Sequence, residues 1–112
     1  MDDDMMEIIN LDKLVNFSRQ VVFYNFSADN DETDDEFISK VKNIKTDEKK
    51  ELDELLPFQE SKLIFKECVK KQINRKTKQT RYVISESDYD EVLVELNSRM
   101  VSNIIRSLVK KG

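Results

Sequence analysis

Histidine is absent and Cys68 is the only cysteine, so carboxylates, lysines, arginines and one thiol are the residues that could do chemistry here. Without histidine there is no Ser-His-Asp triad and no imidazole metal ligand. One cysteine can form neither an intramolecular disulfide nor a thiolate zinc cluster. Cys68 falls on the apolar side of a helical pattern with no histidine to activate it, which reads as an inert buried thiol. Carboxylates are plentiful, yet Asp88, Asp90 and Glu91 crowd the start of a helix. There they stabilise the positive pole instead of forming a general acid and base. The acidic run at residues 27–35 lacks the central glycine of an EF-hand loop and reads as an exposed, solvated loop. The single glycine is Gly112, so no glycine-rich phosphate loop exists. The chain is therefore expected to be non-enzymatic and to need no metal or cofactor.

Charge is where the sequence is distinctive. The net charge of −4 conceals segments of opposite sign. Residues 1–36 hold 11 acids against Lys13 and Arg19. Residues 62–81 hold Lys62, Lys66, Lys70, Lys71, Arg75, Lys76, Lys78 and Arg81 against Glu67 alone. Residues 82–98 carry five acids and residues 99–112 four bases. Such asymmetry points to an anionic partner or to pairing within the fold. Lys62, Lys66 and Lys70 are spaced by four, which places them on one face if the helix runs that far, and the remaining bases follow on a connector. The eight form a basic row that would track phosphates, meet an acidic protein surface, or balance the acidic N-terminal third.

The elements that position this row are mostly helical. One glycine and one proline in 112 residues leave little material for tight turns. Apolar residues at Ile8, Leu11, Leu14, Val15, Val21, Val22 and Phe26 step by three and four, which predicts one helix over residues 5–26. A short helix follows over 35–44, then a third capped by Thr46 and stopped by Pro57. Pro57 opens a fourth, with an apolar face from Phe58 to Ile73. Residues 74–80 read as a polar basic connector, and Arg81-Tyr82-Val83-Ile84-Ser85 as the only strand candidate. Ser85 or Ser87 caps a final helical run whose stripe is Leu93, Leu96, Met100, Ile104 and Leu108, either one helix or two joined at Asn97-Ser98. The expected fold is all-α, or α with one short strand: a single domain of four to five bundled helices spanning residues 1–112.

The end of the chain, Val101-Ser102-Asn103-Ile104-Ile105-Arg106-Ser107-Leu108-Val109-Lys110-Lys111-Gly112, resembles the recognition helix of winged-helix transcription regulators. The resemblance covers residues 98–112, with a preceding helix at 88–96 and a strand at 82–84, and carries no wing. It implies that Ser98, Arg99, Ser102, Asn103 and Arg106 face a DNA groove.

Two functional readings follow. The first is a small adaptor or inhibitor that presents a helical surface and the basic row to a larger protein, itself part of a nucleic-acid machine. The second is a truncated winged-helix regulator that touches DNA directly. Self-association through the C-terminal helix is open in both. No apolar run approaches the roughly 20 residues of a membrane span. The opening Met1-Asp2-Asp3-Asp4 has the wrong charge for a signal peptide, so a cytoplasmic location is expected. Abundant Lys, Asn, Ile, Asp and Glu without tryptophan suggest an AT-rich genome such as a phage, hence a host cytoplasm.

Overall fold

A computed structural model describes residues 4–26 and 33–111, with side chains as far as Lys110. The chain is mainly α: among the described residues five helices pack together beside a small three-stranded antiparallel sheet, which meets them chiefly at α5. In order these are β1 (Met5–Ile8), α1 (Leu11–Phe26), α2 (Asp34–Lys42), α3 (Thr46–Leu55), α4 (Phe58–Cys68), β2 (Lys70–Ile73), β3 (Thr80–Ser85) and α5 (Glu86–Lys111). Helix α1 lies at the centre and touches all four other helices.

The expected single helix over 5–26 is instead a strand followed by a helix. Met5 to Ile8 pair with Ser85 to Tyr82, so tertiary pairing overrides a local helical phase. Asn10 then starts α1 by accepting the Lys13 amide on its Oδ1 at 3.1 Å. The acidic run also divides differently. Residues 27–32 lie outside the described residues, while Thr33 caps α2 and Asp34 and Asp35 form its first turn. The Thr33 hydroxyl accepts the Glu36 amide at 3.2 Å. At α3 the cap position is Lys45, with no side-chain bond, and Thr46 is already helical.

Helices α3 and α4 are separated by Leu56 and Pro57 alone. Proline disfavours helix in the residue before it and suits the entry to the next. Ser61, fully buried, returns its hydroxyl to the Pro57 carbonyl at 3.0 Å and closes the first turn of α4. Helix α4 ends at Cys68, five residues before its expected end at Ile73, and the chain turns into β2. The sheet therefore has three strands, ordered β1-β3-β2, where one was expected.

The core runs from Val15 and Val22 on α1 through Leu52, Leu56 and Phe65 to Ile84, Val92, Leu96 and Met100. Ser18, wholly buried on α1, exchanges a 2.8 Å hydrogen bond with the Tyr89 hydroxyl on α5. Helix α5 is unbroken through Asn97 and Ser98. Its expected stripe is buried at Leu96 and Met100 and half-buried at Leu93 and Ile104, but Leu108 is 66% exposed. Leu108 lies at the rim of an open cleft between α1, α3 and α5, lined also by Phe23, Phe26, Met100 and Ile104.

Candidate functional site

Strands β2 and β3 form a hairpin joined by residues 74–79. Asn74 organises its tip: the side-chain Oδ1 accepts the amides of Lys76 at 2.9 Å and Thr77 at 3.3 Å. The Asn74 carbonyl accepts the Lys78 amide at 2.7 Å, and the Asn74 amide donates to the Gln79 carbonyl at 2.9 Å. Closing this loop puts Lys78 at φ 59°, the left-handed region that glycine or asparagine occupies more cheaply.

The hairpin gathers six of the eight residues of the basic row. Arg75, Lys76 and Lys78 stand at the tip. Register pairs share a face of the sheet, so Lys70 and Gln72 lie with Val83 and Arg81, while Lys71 lies with Tyr82 on the other face. Cations therefore flank both faces of one ribbon. Arg81 Nη2 donates to Gln72 Oε1 at 3.2 Å across the strands. No acid occurs between Cys68 and Glu86. Among the described residues none of these six cations forms a salt bridge.

The other two members of the row separate. Lys62 on α4 is committed to the body of the fold: its Nζ lies 2.9 Å from Asp12 Oδ1 and 5.8 Å from the centre of the Phe58 ring. Lys66, one turn on, is exposed in a cleft of ≈ 660 Å³ between α4, the start of α1 and Tyr82. Lys62, Lys66 and Lys70 do not share a helix face, because Lys70 already belongs to β2.

Arg99, Ser102, Asn103 and Arg106 are held apart from this cluster. They sit on α5, about 20–30 Å along its axis from the hairpin at 1.5 Å per residue. Arg99, Ser102 and Arg106 are exposed. Asn103 is half-buried and structural: its Nδ2 donates to the Leu55 carbonyl at 2.9 Å and approaches Glu60 Oε2 at 3.4 Å, tying α5 to α3 and α4. Helix α5 has no break at Asn97-Ser98, where the sequence allowed either one helix or two. Helices α3 and α4 follow one another across Leu56 and Pro57, and the basic hairpin comes directly after α4. Sequence reasoning placed the break at Pro57 but missed the hairpin, whose signal was Asn74, a turn former, ahead of the strand-forming Tyr82-Val83-Ile84.

The remaining reactive groups are quiet. Burial, reinforced by Asp88, Glu91, Glu67 and Glu95, pushes the Cys68 thiol up. Burial and the hydrogen bond from its hydroxyl to Glu48 push Tyr24 well above the usual phenol range. Among the described residues no group of three or more potential ligands could hold a metal ion, and no helix is long and apolar enough to cross a membrane. Compared with known proteins, the chain matches no family, no curated protein and no solved structure.

Proposed function

We propose that the protein binds nucleic acid, and duplex DNA in particular, through the β2–β3 hairpin and the adjoining exposed edge of α4. The observation that carries this reading is the concentration of six cations, none of them in a salt bridge among the described residues, on one ribbon of an otherwise acidic chain. Unpaired exposed lysines and arginines release phosphate counterions, which drives binding independently of sequence. A two-stranded ribbon fits the roughly 12 Å major groove of B-DNA, and cations on both of its faces suit the phosphate rows on either side. Lys66 would extend the contact from α4. Base stacking contributes little, since Tyr82 is the one aromatic residue on the hairpin.

A second reading keeps the same cations and changes the partner. Leu63 on α4 and Ile73 on β2 are 62% and 61% exposed, close to the row. Aliphatic side chains among cations suit an acidic protein surface with an apolar centre, as an adaptor or inhibitor would need.

The triple change Lys71→Glu, Arg75→Glu and Lys76→Glu separates the readings. Duplex binding is expected to vanish at low salt while the circular dichroism spectrum and melting temperature hold, because exposed charges carry only about 0–1 kcal/mol each. Unchanged DNA binding by the triple variant would sink the proposal. A wild type that ignores DNA but captures an acidic protein, and loses it on the same changes, would establish the second reading.

A further inference from the structure

Helix α5 has two apolar stripes. Tyr89, Val92, Leu96 and Met100 face the core. Val94 lies two residues from both Val92 and Leu96, so at 100° per residue it points away from that core. Val94, Val101, Ile105 and Leu108 follow one another at steps of seven, four and three, the spacing of a coiled-coil seam. Val101 is half-buried, while Val94, Ile105 and Leu108 are 67%, 56% and 66% exposed. The stripe spans about 21 Å of helix and leans towards solvent on its whole length.

Charge along the same helix identifies what would cover it. Glu86, Asp88, Asp90, Glu91 and Glu95 make the first half wholly acidic, and Arg99, Arg106, Lys110 and Lys111 make the second half wholly basic. A parallel copy would set acid on acid and base on base. An antiparallel copy sets each acidic half on the other's basic half.

We infer that the outer stripe of α5 pairs with the same stripe of a second copy of this chain, antiparallel, with the two-fold axis at Val101. That register puts Val94 opposite Leu108 of the partner, and Ile105 opposite Asn97, one residue from Ser98. It also sets Glu95 beside Arg106 of the partner, twice by symmetry. Both side chains are exposed and neither forms a salt bridge among the described residues. The surface is separate from the hairpin, so the inference stands whether or not the protein binds DNA.

Sedimentation equilibrium on the full chain tests it. A reversible dimer is expected. Leu108→Glu should leave a monomer with an unchanged circular dichroism spectrum, since the site is mostly solvent. Glu95→Arg and Arg106→Glu should each raise the dimer dissociation constant about tenfold or more, and the double variant should return to within about threefold of wild type, because the pairs are merely exchanged. A wild-type chain still monomeric at about 100 µM, far above the range of specific dimers, would overturn the inference and leave the stripe to a different acidic helix. A dimer indifferent to either charge reversal would overturn the register and with it the inference.

Discussion

Arg19 is an arginine in a helix core face, 4% exposed, and every one of its polar groups is used. Its Nε donates to the Leu56 carbonyl at 2.8 Å, Nη1 to Asn16 Oδ1 at 2.8 Å and Nη2 to Asp53 Oδ1 at 2.7 Å. The guanidinium also lies 5.8 Å from the centre of the Phe58 ring. One side chain thus fixes the junction of α3 and α4 against α1, and so sets where α4 and the hairpin begin. Arg19→Ala would strand the buried Leu56 carbonyl and is expected to cost about 2–3 kcal/mol in urea unfolding. Arg19→Lys should recover little, because an ammonium cannot span three acceptors in a plane. A loss under about 0.5 kcal/mol would show that the junction holds without it. In the sequence Arg19 reads only as one of two positive charges in an acidic third; Asn16 is local, but the other two acceptors come from positions 34 and 37 residues away, which no local pattern reveals. Cys68 is the opposite case. Its place on the apolar side of α4 was legible, and the raised thiol follows from burial and the acids of α5. Less thiolate at neutral pH means slower alkylation, so Cys68 should react with iodoacetamide more slowly in the folded chain than in urea; equal rates would contradict its environment.

The two elements that matter most are the hairpin and α5, and each tests differently. Lys78 holds a left-handed conformation, so Lys78→Gly should stabilise the hairpin by about 0.5–1 kcal/mol while deleting a tip cation. A lower melting temperature would mean the loop closes another way. On α5, Leu96 is fully buried and Leu96→Ala should cost about 2–5 kcal/mol, whereas Leu108→Ala should stay within about 0.5 kcal/mol in the monomer. Equal costs would contradict the placement of α5 on the bundle. Much of this was legible: the spacing of Val92, Leu96 and Met100, the stop at Pro57, and Ser85 as the cap, whose Oγ accepts the Asp88 amide at 3.1 Å. Strand β2 was not. Lys70, Lys71 and Gln72 are good helix formers, and Val69 and Ile73 continue the apolar phase of α4, so local propensity favours a longer helix. The strand forms because β3 offers it a ladder.

Across the whole molecule, low glycine and proline content announced a mainly helical fold, but the sheet depends on pairing β1 with β3, with α1 to α4 and β2 between them in the chain. Periodicity within a window of a few turns does not contain such a contact. The charge pattern, by contrast, was fully visible in sequence, and the fold sharpens it: Lys62 is absorbed by Asp12, and six of the other seven cations of the row are concentrated on one ribbon, with Lys66 on α4. A net charge of −4 works against general attraction to a polyanion, so binding must come from local contacts of the hairpin. The dependence of duplex affinity on salt measures those contacts most directly. With four to six phosphates neutralised by the hairpin and Lys66, the logarithm of the association constant should fall with the logarithm of salt concentration at a slope of about −3.5 to −5.5. Binding that is undetectable at 50 mM salt, or a slope near zero, would contradict the assignment of the hairpin to nucleic acid.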